Sequence, residues 1–315
     1  MDDTTVLSVL MPVYNAAQFL RDAIQSILDQ TYDNFEFLII NDGSTDQSEE
    51  IILSYQDPRI RYIKNEKNLG LIATLNKGID LAKGKYIARM DADDIARPQR
   101  FEKQLYFMQE QGVDVCGTAV KVFNYKIRSQ AEKETWVFPQ THDDIRRMGL
   151  FQCPIAHPSV IFRKTSLRYS REYKHAEDYY FWYLHLKNGY KFTNLPEVLL
   201  DYRLHDTNVS VLHQEEQGKN AKVIRDLFYT NVYETQEQLF SGKLTKEKLC
   251  KYLRVIRETH GKLQDKDITL TWLDDWNNRF IESASPFLFG FILTFFLSGR
   301  SDYSLRDKFY LLRNS

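Results

Sequence analysis

Four short apolar runs alternate with three helical patterns over the first hundred residues of the chain. The apolar runs cover residues 6–11, 35–40, 60–63 and 86–90, and the helical patterns cover 19–28, 45–55 and 70–81. This β-α-β-α-β-α-β order is typical of parallel strands joined by right-handed crossovers. Runs that are apolar on both faces suit strands that are covered on both sides. We therefore predict an α/β fold with a Rossmann-like, mostly parallel sheet flanked by helices.

Candidate ligand residues follow three of the four predicted strands. They are Pro12 and Tyr14 after the first strand, Asp42 after the second, and Asp91, Asp93 and Asp94 after the fourth. The carboxyl ends of parallel strands meet at one edge of a sheet, and open α/β sheets bind their ligands there. We therefore expect these residues to surround one site.

Asp91 and Asp93 form a DxD pattern directly after the fourth strand. They lie on the same side if the backbone stays extended beyond the strand, and carboxylate oxygens are the ligands that Mg²⁺ and Mn²⁺ prefer. The pattern alone is weak, because Asp265 and Asp267 form a second DxD in a polar segment that reads as an exposed loop. The position at the end of a buried strand distinguishes the first pair.

Several ligand and partner classes are disfavoured. No GxGxxG follows the first strand and no GxxxxGK[ST] is present, which excludes the NAD and P-loop readings. A diphosphate would then need another counter-charge, which a metal on Asp93 supplies. The net charge of −1 gives no reason to expect nucleic acid as a partner. Three widely spaced cysteines contain no zinc knuckle and fit a reducing, cytoplasmic compartment.

Four segments occur in a specific order: SVLMPVYNA, LIINDGSTD, NEKNLGLIATLNKGID and YIARMDADDIARP. Over residues 6–210 they resemble the family-2 inverting glycosyltransferases, which have the GT-A fold. Within that class, IARMDADDIA, AEDYYFW and LPEVLLDYRLHDTNVS are most similar to bacterial lipooligosaccharide β-1,3-N-acetylhexosaminyltransferases.

The resemblance implies the transfer of a sugar from a UDP-sugar to an oligosaccharide or lipid-linked glycan acceptor. GlcNAc in a β-1,3 linkage is the first expectation. Galactosyl, glucosyl or GalNAc transfer on the same scaffold is the first alternative. A non-catalytic nucleotide-sugar or glycan-binding module is the second alternative.

The resemblance also implies roles for the strand-end residues. Pro12 and Tyr14 would line the uracil pocket, and Asp42 would hold the base or the ribose. Asn68 would be a further base contact, and Asp91 would contact the ribose or the metal.

A metal site is implied on Asp93 and His205. His205 would be a metal or diphosphate ligand, with Arg203 a weaker candidate. The cofactor would be Mn²⁺ or Mg²⁺, and an imidazole ligand favours Mn²⁺.

Glu177 and Asp178 open a predicted helix that ends at Gly189. The residues alone favour helix capping and pairing with the helix dipole. The resemblance reverses this interpretation, because such a pair is the usual place of the general base. Inversion by direct displacement needs one carboxylate to take the proton of the acceptor hydroxyl. We expect Asp178 to be that base, with Glu177 as the alternative or as a partner that orients the acceptor.

The rest of the chain shows weaker patterns. We predict a helix over 98–111, strands over 113–117, 120–125 and 195–201, and a strand within 155–162. His157 there is either a structural hydrogen-bonding residue or part of the site wall.

The chain divides on these patterns into a catalytic domain, 1–210, and a helical C-terminal extension, 211–315. The longest apolar run, 286–297, is too short for a confident membrane span. The segment 280–315 is predicted to contact a membrane peripherally, to pack on the catalytic domain, or to form a homodimer. A lipid-linked acceptor would place the protein at the inner face of the cytoplasmic membrane.

Overall fold

A computed structural model describes residues 6–124, 134–206, 208 and 212–234. The chain divides into two compact units, Met1–Tyr233 and Glu234–Ser315, and the described residues belong to the first, apart from the last residue of its final helix. The predicted boundary at residue 210 stays a prediction. The predicted contact segment 280–315 and the second DxD lie outside the described residues.

The first half of the sheet follows the predicted order. The strands are β1 (Leu7–Val13), β2 (Phe35–Asn41), β3 (Ile60–Lys64) and β4 (Tyr86–Arg89), and the helices between them are α1 (Leu20–Leu28), α2 (Ser48–Leu53) and α3 (Leu71–Leu81). These strands are parallel in the order β3-β2-β1-β4. Their carboxyl ends therefore share one edge, as the sequence predicts.

The second half of the sheet is mixed. Its strands are β5 (Ile95–Ala96), β6 (Val115–Asn124), β7 (Thr135–Trp136), β8 (Ile161–Arg163) and β9 (Phe192–Leu204). The sheet continues as β4-β8-β6-β9-β5, and β7 pairs with β6. Strand β8 is antiparallel to both β4 and β6, whereas β6 and β9 are parallel.

Two strand predictions differ from the structure. The segments 113–117 and 120–125 are one strand, β6, because a register shift near Thr118 and Ala119 keeps it paired with β9. Strand β9 is also longer than the predicted 195–201, since β6 offers it partners along its length. The segment 155–162 contains a short 3₁₀ helix, His157–Ser159, before β8 begins.

The remaining helices are α4 (Arg100–Gln111), α5 (His142–Met148), α6 (Glu177–Lys187) and α7 (Gln214–Glu234). Helix α7 packs on this unit, because Ile224 and Phe228 are buried and the Phe228 ring lies 5.4 Å from the ring of Tyr179 on α6. None of the helices in the described part of the chain is both long and apolar enough to cross a bilayer.

Both faces of the sheet are covered. Val9 and Met11 of β1 belong to the core that contains Ile24 of α1, whereas Leu10 belongs to the core that contains Leu75 of α3. All five side chains are almost completely buried, and burying one such side chain contributes roughly 1.5–3 kcal/mol. Alternate residues of one strand thus serve two cores, which fixes its register and places its carboxyl end at the edge of the sheet.

Candidate active site

Pro12 lies where β1 continues beyond the end of the neighbouring strand β4. The backbone N–H of Asp42 donates to Val13 O at 2.8 Å, and that of Met90 donates to Leu10 O at 3.1 Å. Because alternate residues of a strand direct their peptide groups to opposite neighbours, Pro12 faces the β4 side, beyond the last residue pair between β1 and β4. Proline, which has no backbone N–H, can therefore stand at this position without the loss of a backbone hydrogen bond between strands.

The loops after β1 and β2 are joined by Asn15. Its backbone N–H donates to Ser44 Oγ at 3.1 Å, and its Oδ1 accepts from the N–H of Thr45 at 2.8 Å. Tyr14 precedes it with a side chain that is 49% exposed. The ring of Tyr14 is thus presented to solvent from a braced loop.

Asp42 organises the loop that follows β3. Its Oδ1 accepts from Asn65 Nδ2 at 2.7 Å and from the N–H of Leu69 at 2.9 Å. Its Oδ2 accepts from the N–H of Gly70 at 2.9 Å, and the exposed Asn68 accepts from the same N–H through Oδ1. Asp42 and Asn68 are therefore neighbours, and three of the roughly four acceptor positions of the Asp42 carboxylate are occupied.

The DxD segment is a turn and not an extended continuation of β4, so the geometry expected from the two-residue spacing is wrong. The turn nevertheless brings carboxylate oxygens of Asp91, Asp93 and Asp94 within 4.8 Å of one another. Asp94 is 1% exposed, and its Oδ1 accepts from the backbone N–H of Arg203 at 2.8 Å. Its Oδ2 is buried and has no hydrogen-bond partner in the described structure.

Arg203 holds this turn from β9. Its Nε donates to the backbone oxygen of Asp93 at 2.7 Å, and its Nη2 donates to Asp22 Oδ2 at 3.0 Å. The guanidinium also lies over the rings of Phe19 and Phe123, at 4.7 and 5.0 Å from their centroids. Arg203 is therefore engaged in shaping the turn, a role that its sequence position alone did not indicate.

His205, at the end of β9, faces the same turn. Its Nε2 lies 2.8 Å from Asp93 Oδ2, and its ring packs on Phe19 with the centroids 4.8 Å apart. Its backbone N–H donates to Asn208 Oδ1 at 2.6 Å, while Asn208 Nδ2 donates to Arg203 O at 3.2 Å. The structure thus joins Asp93 and His205, the two residues that the resemblance implies as metal ligands.

Arg89 supplies a buried positive charge next to these carboxylates. It is 3% exposed, and its Nη1 forms an ion pair with Asp91 Oδ2. The sequence carried a signal for it, since Arg89 is a charged residue inside an otherwise apolar strand. Burial raises the pKa of Asp91, and the charge of Arg89 opposes that rise.

The two carboxylates of α6 lie in its first turn, as predicted, and the left-handed Gly189 follows the helix end. Asp178 Oδ1 accepts from the N–H of Tyr179 at 2.8 Å, and Asp178 Oδ2 lies 3.8 Å from Cys153 Sγ. Glu177 is 7% exposed, and its Oε2 has no hydrogen-bond partner among the described residues.

Burial sets the protonation behaviour of this pair. It raises the pKa of Glu177 to about 7, with the charge of Asp178 as the second cause. Burial also raises the pKa of Asp178. A helix N-terminus lowers carboxylate pKa values, so desolvation outweighs the helix here.

One cavity of about 740 Å³ joins the two carboxylate groups. Its lining includes Asp91 and Asp93 from the DxD turn, Glu177 and Asp178 from α6, and Arg89, Trp136, Cys153, His157, Tyr202 and Asn208. Pro12, Tyr14, Asp42 and Asn68 lie at the ends of β1, β2 and β3, outside this lining. The described structure therefore divides the predicted residues between a strand-end group and a cavity group, and His205 contacts Asp93 of the cavity group without lining the cavity itself.

His157, Cys153 and Trp136 illustrate what the sequence did and did not reveal. His157 Nε2 forms a hydrogen bond with the Tyr169 hydroxyl at 2.8 Å and also lines the cavity, so both interpretations of His157 hold. Trp136 lies 5.5 Å from the ring of Tyr202, centroid to centroid. Nothing in the sequence marked Cys153.

The sequence profile described as Glycosyl transferase family 2 matches residues 8–169, which is more than half of the chain. An uncharacterised glycosyltransferase of Haemophilus influenzae is 38% identical over 240 residues, which are 71% of this chain and 73% of that protein. The chain belongs to glycosyl transferase family 2. This glycosyltransferase is also 28% identical over 227 residues to the putative teichuronic acid biosynthesis glycosyltransferase TuaG of Bacillus subtilis, covering 70% of this chain and 88% of TuaG.

Solved structures share the fold of this glycosyltransferase. The S. aureus TarS 1–349 complex with UDP-GlcNAc superposes with a TM-score of 0.56 at 18% identity, covering 81% of this chain and 80% of that one. The TarS 1–349 complex with UDP gives a TM-score of 0.54 at 19% identity, covering 79% and 78%. The curled, mostly parallel sheet flanked by helices is therefore the GT-A-like fold that the sequence predicts.

The DxD turn of this glycosyltransferase fits a divalent cation. Its donor set is three carboxylates within mutual reach, and one of their oxygens, Asp94 Oδ2, is buried without a hydrogen-bond partner among the residues described. Burial and the charges of Asp93 and Asp91 raise the pKa of Asp94 well above its usual range. An unpartnered buried carboxylate oxygen is costly, and a hard cation is the ligand type that would satisfy it.

Proposed function

We propose that this glycosyltransferase moves a sugar from a UDP-sugar to a glycan acceptor in lipooligosaccharide or other surface polysaccharide synthesis. GlcNAc in a β-1,3 linkage is the proposed transfer. The observation that carries the proposal is the cavity in which Asp91 and Asp93 share one lining with Glu177 and Asp178. Donor and acceptor chemistry need such carboxylates on two sides of one reacting centre. The TarS complex with UDP-GlcNAc, on the same fold, supports the choice of donor.

The strand-end group would bind the nucleotide. Tyr14 offers an exposed ring on which uracil can stack, and Pro12 forms the adjacent edge. Asp42 Oδ2 accepts one hydrogen bond in the structure, so it retains an acceptor position for the base or the ribose. Asn68, exposed on the loop that Asp42 holds, would complete the base contacts.

The DxD turn would bind a divalent metal, Mn²⁺ or Mg²⁺, through Asp93 and His205, with Asp91 shared between the metal and the ribose. When bound, the ion supplies charge that stabilises the departing UDP. His205 Nε2 and Asp93 Oδ2 are 2.8 Å apart, so a common ligand would replace their direct contact. The mixed imidazole and carboxylate donors favour Mn²⁺ over Mg²⁺.

Asp178 would be the general base. As the acceptor oxygen attacks the anomeric carbon, the bond from that carbon to the UDP oxygen breaks and the hydroxyl proton moves to Asp178. This single displacement inverts the configuration and forms no covalent enzyme intermediate. Burial raises the pKa of Glu177 to about 7 and also raises the pKa of Asp178. A raised pKa makes a carboxylate a stronger base toward the proton of the acceptor.

The acceptor would enter past Trp136 and Tyr202. Their rings pair at 5.5 Å and both line the cavity, and flat rings are suited to the apolar faces of sugars. The cavity volume of about 740 Å³ is in the usual range for a ligand site.

A panel of UDP-sugars tests this proposal. UDP release is measured for each donor with and without a lactose-like acceptor, and the expected result is acceptor-dependent release that is fastest with UDP-GlcNAc. Faster release from UDP-Gal, UDP-Glc or UDP-GalNAc would assign the alternative sugar. Tight UDP binding without acceptor-dependent release from any donor would contradict the proposal and favour the non-catalytic binding module.

A further inference from the structure

A second cluster of metal-type ligands lies where the loop before α6 meets the start of α7. It consists of His175 from that loop, of His213, the residue before α7, and of Glu216 from the first turn of α7, and one ligand atom of each lies within 4.8 Å of the others. The backbone oxygen of His213 accepts from the N–H of Gln217 at 3.0 Å, so His213 adjoins the first turn of α7. His175 also lines the cavity of the candidate active site, whereas His213 and Glu216 do not. The proposed sugar transfer gives none of the three residues a role.

His175 carries the strongest sign of a missing ligand. Its side chain is 9% exposed, and its Nε2 is buried without a hydrogen-bond partner in the described structure. The nearest acidic oxygen, Glu216 Oε2, lies 3.3 Å from that nitrogen. This separation is long for a charge-assisted hydrogen bond. It matches two ligands of a tetrahedral zinc ion, which lie about 3.3–3.4 Å apart when each is about 2.0–2.1 Å from the metal.

The two imidazoles are neighbours. The rings of His175 and His213 stack with centroids 3.9 Å apart and planes 8° from parallel. His213 is exposed, so its ring can turn its nitrogen toward a shared ion.

The backbone at His175 is strained. Its φ is +66°, and among the described residues only one other non-glycine residue, Asn15, has a positive φ. Strained conformations of this kind persist where the surrounding structure demands them, and they concentrate at functional sites. A metal bond at His175 would be an interaction able to offset that strain.

We propose that His175, His213 and Glu216 form a binding site for a zinc-type divalent transition metal. Two imidazole nitrogens and one carboxylate oxygen suit Zn²⁺, Co²⁺ or Ni²⁺ better than Mg²⁺ or Ca²⁺. The bound ion links the start of α7 to the loop two residues before Glu177. It therefore holds α7 beside the helix that bears the carboxylates of the cavity, and its existence does not depend on the proposed function.

Cobalt titration of the metal-stripped, full-length protein tests the proposal. Because the imidazole of His205 at the DxD turn would also bind Co²⁺, the wild type and Asp93→Asn are titrated in parallel, and the Asp93→Asn titration reports the second cluster alone. The expected result is one equivalent of Co²⁺ with the visible absorption of a four- or five-coordinate ion, displaced by Zn²⁺. His213→Ala and Glu216→Gln change exposed side chains and should each weaken binding at least about tenfold.

Two controls separate this site from others. Glu215→Gln alters the neighbouring exposed carboxylate, which pairs with Lys219, and should leave the cobalt band unchanged. Asp93→Asn should also retain the band, because Asp93 belongs to the DxD turn. A wild-type protein without the band, or a folded His213→Ala variant that binds Co²⁺ as tightly as the wild type, would overturn the proposal.

Discussion

Replacing Glu177 with glutamine should remove a pH-dependent loss of stability. The Glu177 carboxyl is buried beside Asp178 at the start of α6, and both features make its charged form unfavourable in the folded chain. The unfolded chain exposes the same carboxyl to water, where it ionises at its ordinary pKa. Glutamine has nearly the same shape and binds no proton in either state, so it isolates the contribution of ionisation.

The size of this effect follows from the two pKa values. The pKa of Glu177 is about 7 in the folded chain against an ordinary value of 4.5. A raised folded pKa means that the folded state holds the proton more tightly, so the free energy of unfolding falls as the pH rises from 4.5 through 7. Proton linkage gives a loss of about 2.5 kcal/mol between pH 5 and pH 8. The side chain is only 7% exposed, so solvent screens this effect little.

Urea unfolding at several pH values between 5 and 8 measures the effect. Tryptophan fluorescence is a suitable signal, because Trp182 is fully buried on the same helix. The wild type should lose about 2.5 kcal/mol more than Glu177→Gln over this range, while Glu110→Gln, at an exposed position of α4, should follow the wild type. Parallel pH dependences for the wild type and Glu177→Gln would refute the reasoning.

Two further predictions concern the nucleotide and metal end of the site. Asp93→Asn should weaken metal-dependent UDP binding by about 10- to 100-fold, measured by calorimetry with and without Mn²⁺, whereas Asp267→Asn in the second DxD should not. Gly43→Ala should weaken UDP binding, because φ is +70° and an added Cβ would lie 2.6 Å from the backbone carbon of Lys67. Gly112→Ala is the matched control, since it is also left-handed but meets nothing within 4 Å; it should cost about 1 kcal/mol of stability and leave UDP affinity unchanged. Equal UDP affinities for the two alanine variants would contradict the steric argument.

The elements of the parallel half could be predicted because their signals are local. The expected strand at 60–63 is Ile60–Lys64, and the expected helix at 70–81 is Leu71–Leu81. Each is marked by its own apolar spacing and by a stop signal nearby. The common edge of the strand ends then followed from topology alone.

Strand β6 shows where local signals fail. Gly117 and Thr118 interrupt its alternation, so the sequence reads as two strands. The structure keeps it continuous because β9 pairs with it on both sides of the register shift. Its paired residues on β9 lie 77 to 80 positions further along the chain. A partner at that distance is not visible in a local pattern, and tertiary pairing overrides propensity here.

The site could be predicted in part. The DxD turn was located by its strand, but its geometry depends on Arg203, which reaches Asp22 across 181 residues of sequence. Asp178 and Asp91 line one cavity, and it is the family resemblance, not the residue spacing, that predicts Asp178 as a site residue. The raised pKa of Glu177 depends on burial, which the residues of α6 alone do not reveal.

Acceptor-dependent UDP release by Asp178→Asn tests whether Asp178 takes the proton of the acceptor. The side chain keeps its size and loses its ability to take a proton. We expect UDP affinity within about twofold of the wild type and a rate of transfer lower by about 10²- to 10⁴-fold, the usual contribution of general base catalysis. A folded Asp178→Asn variant that transfers the sugar at the wild-type rate would contradict the role of Asp178 as the base.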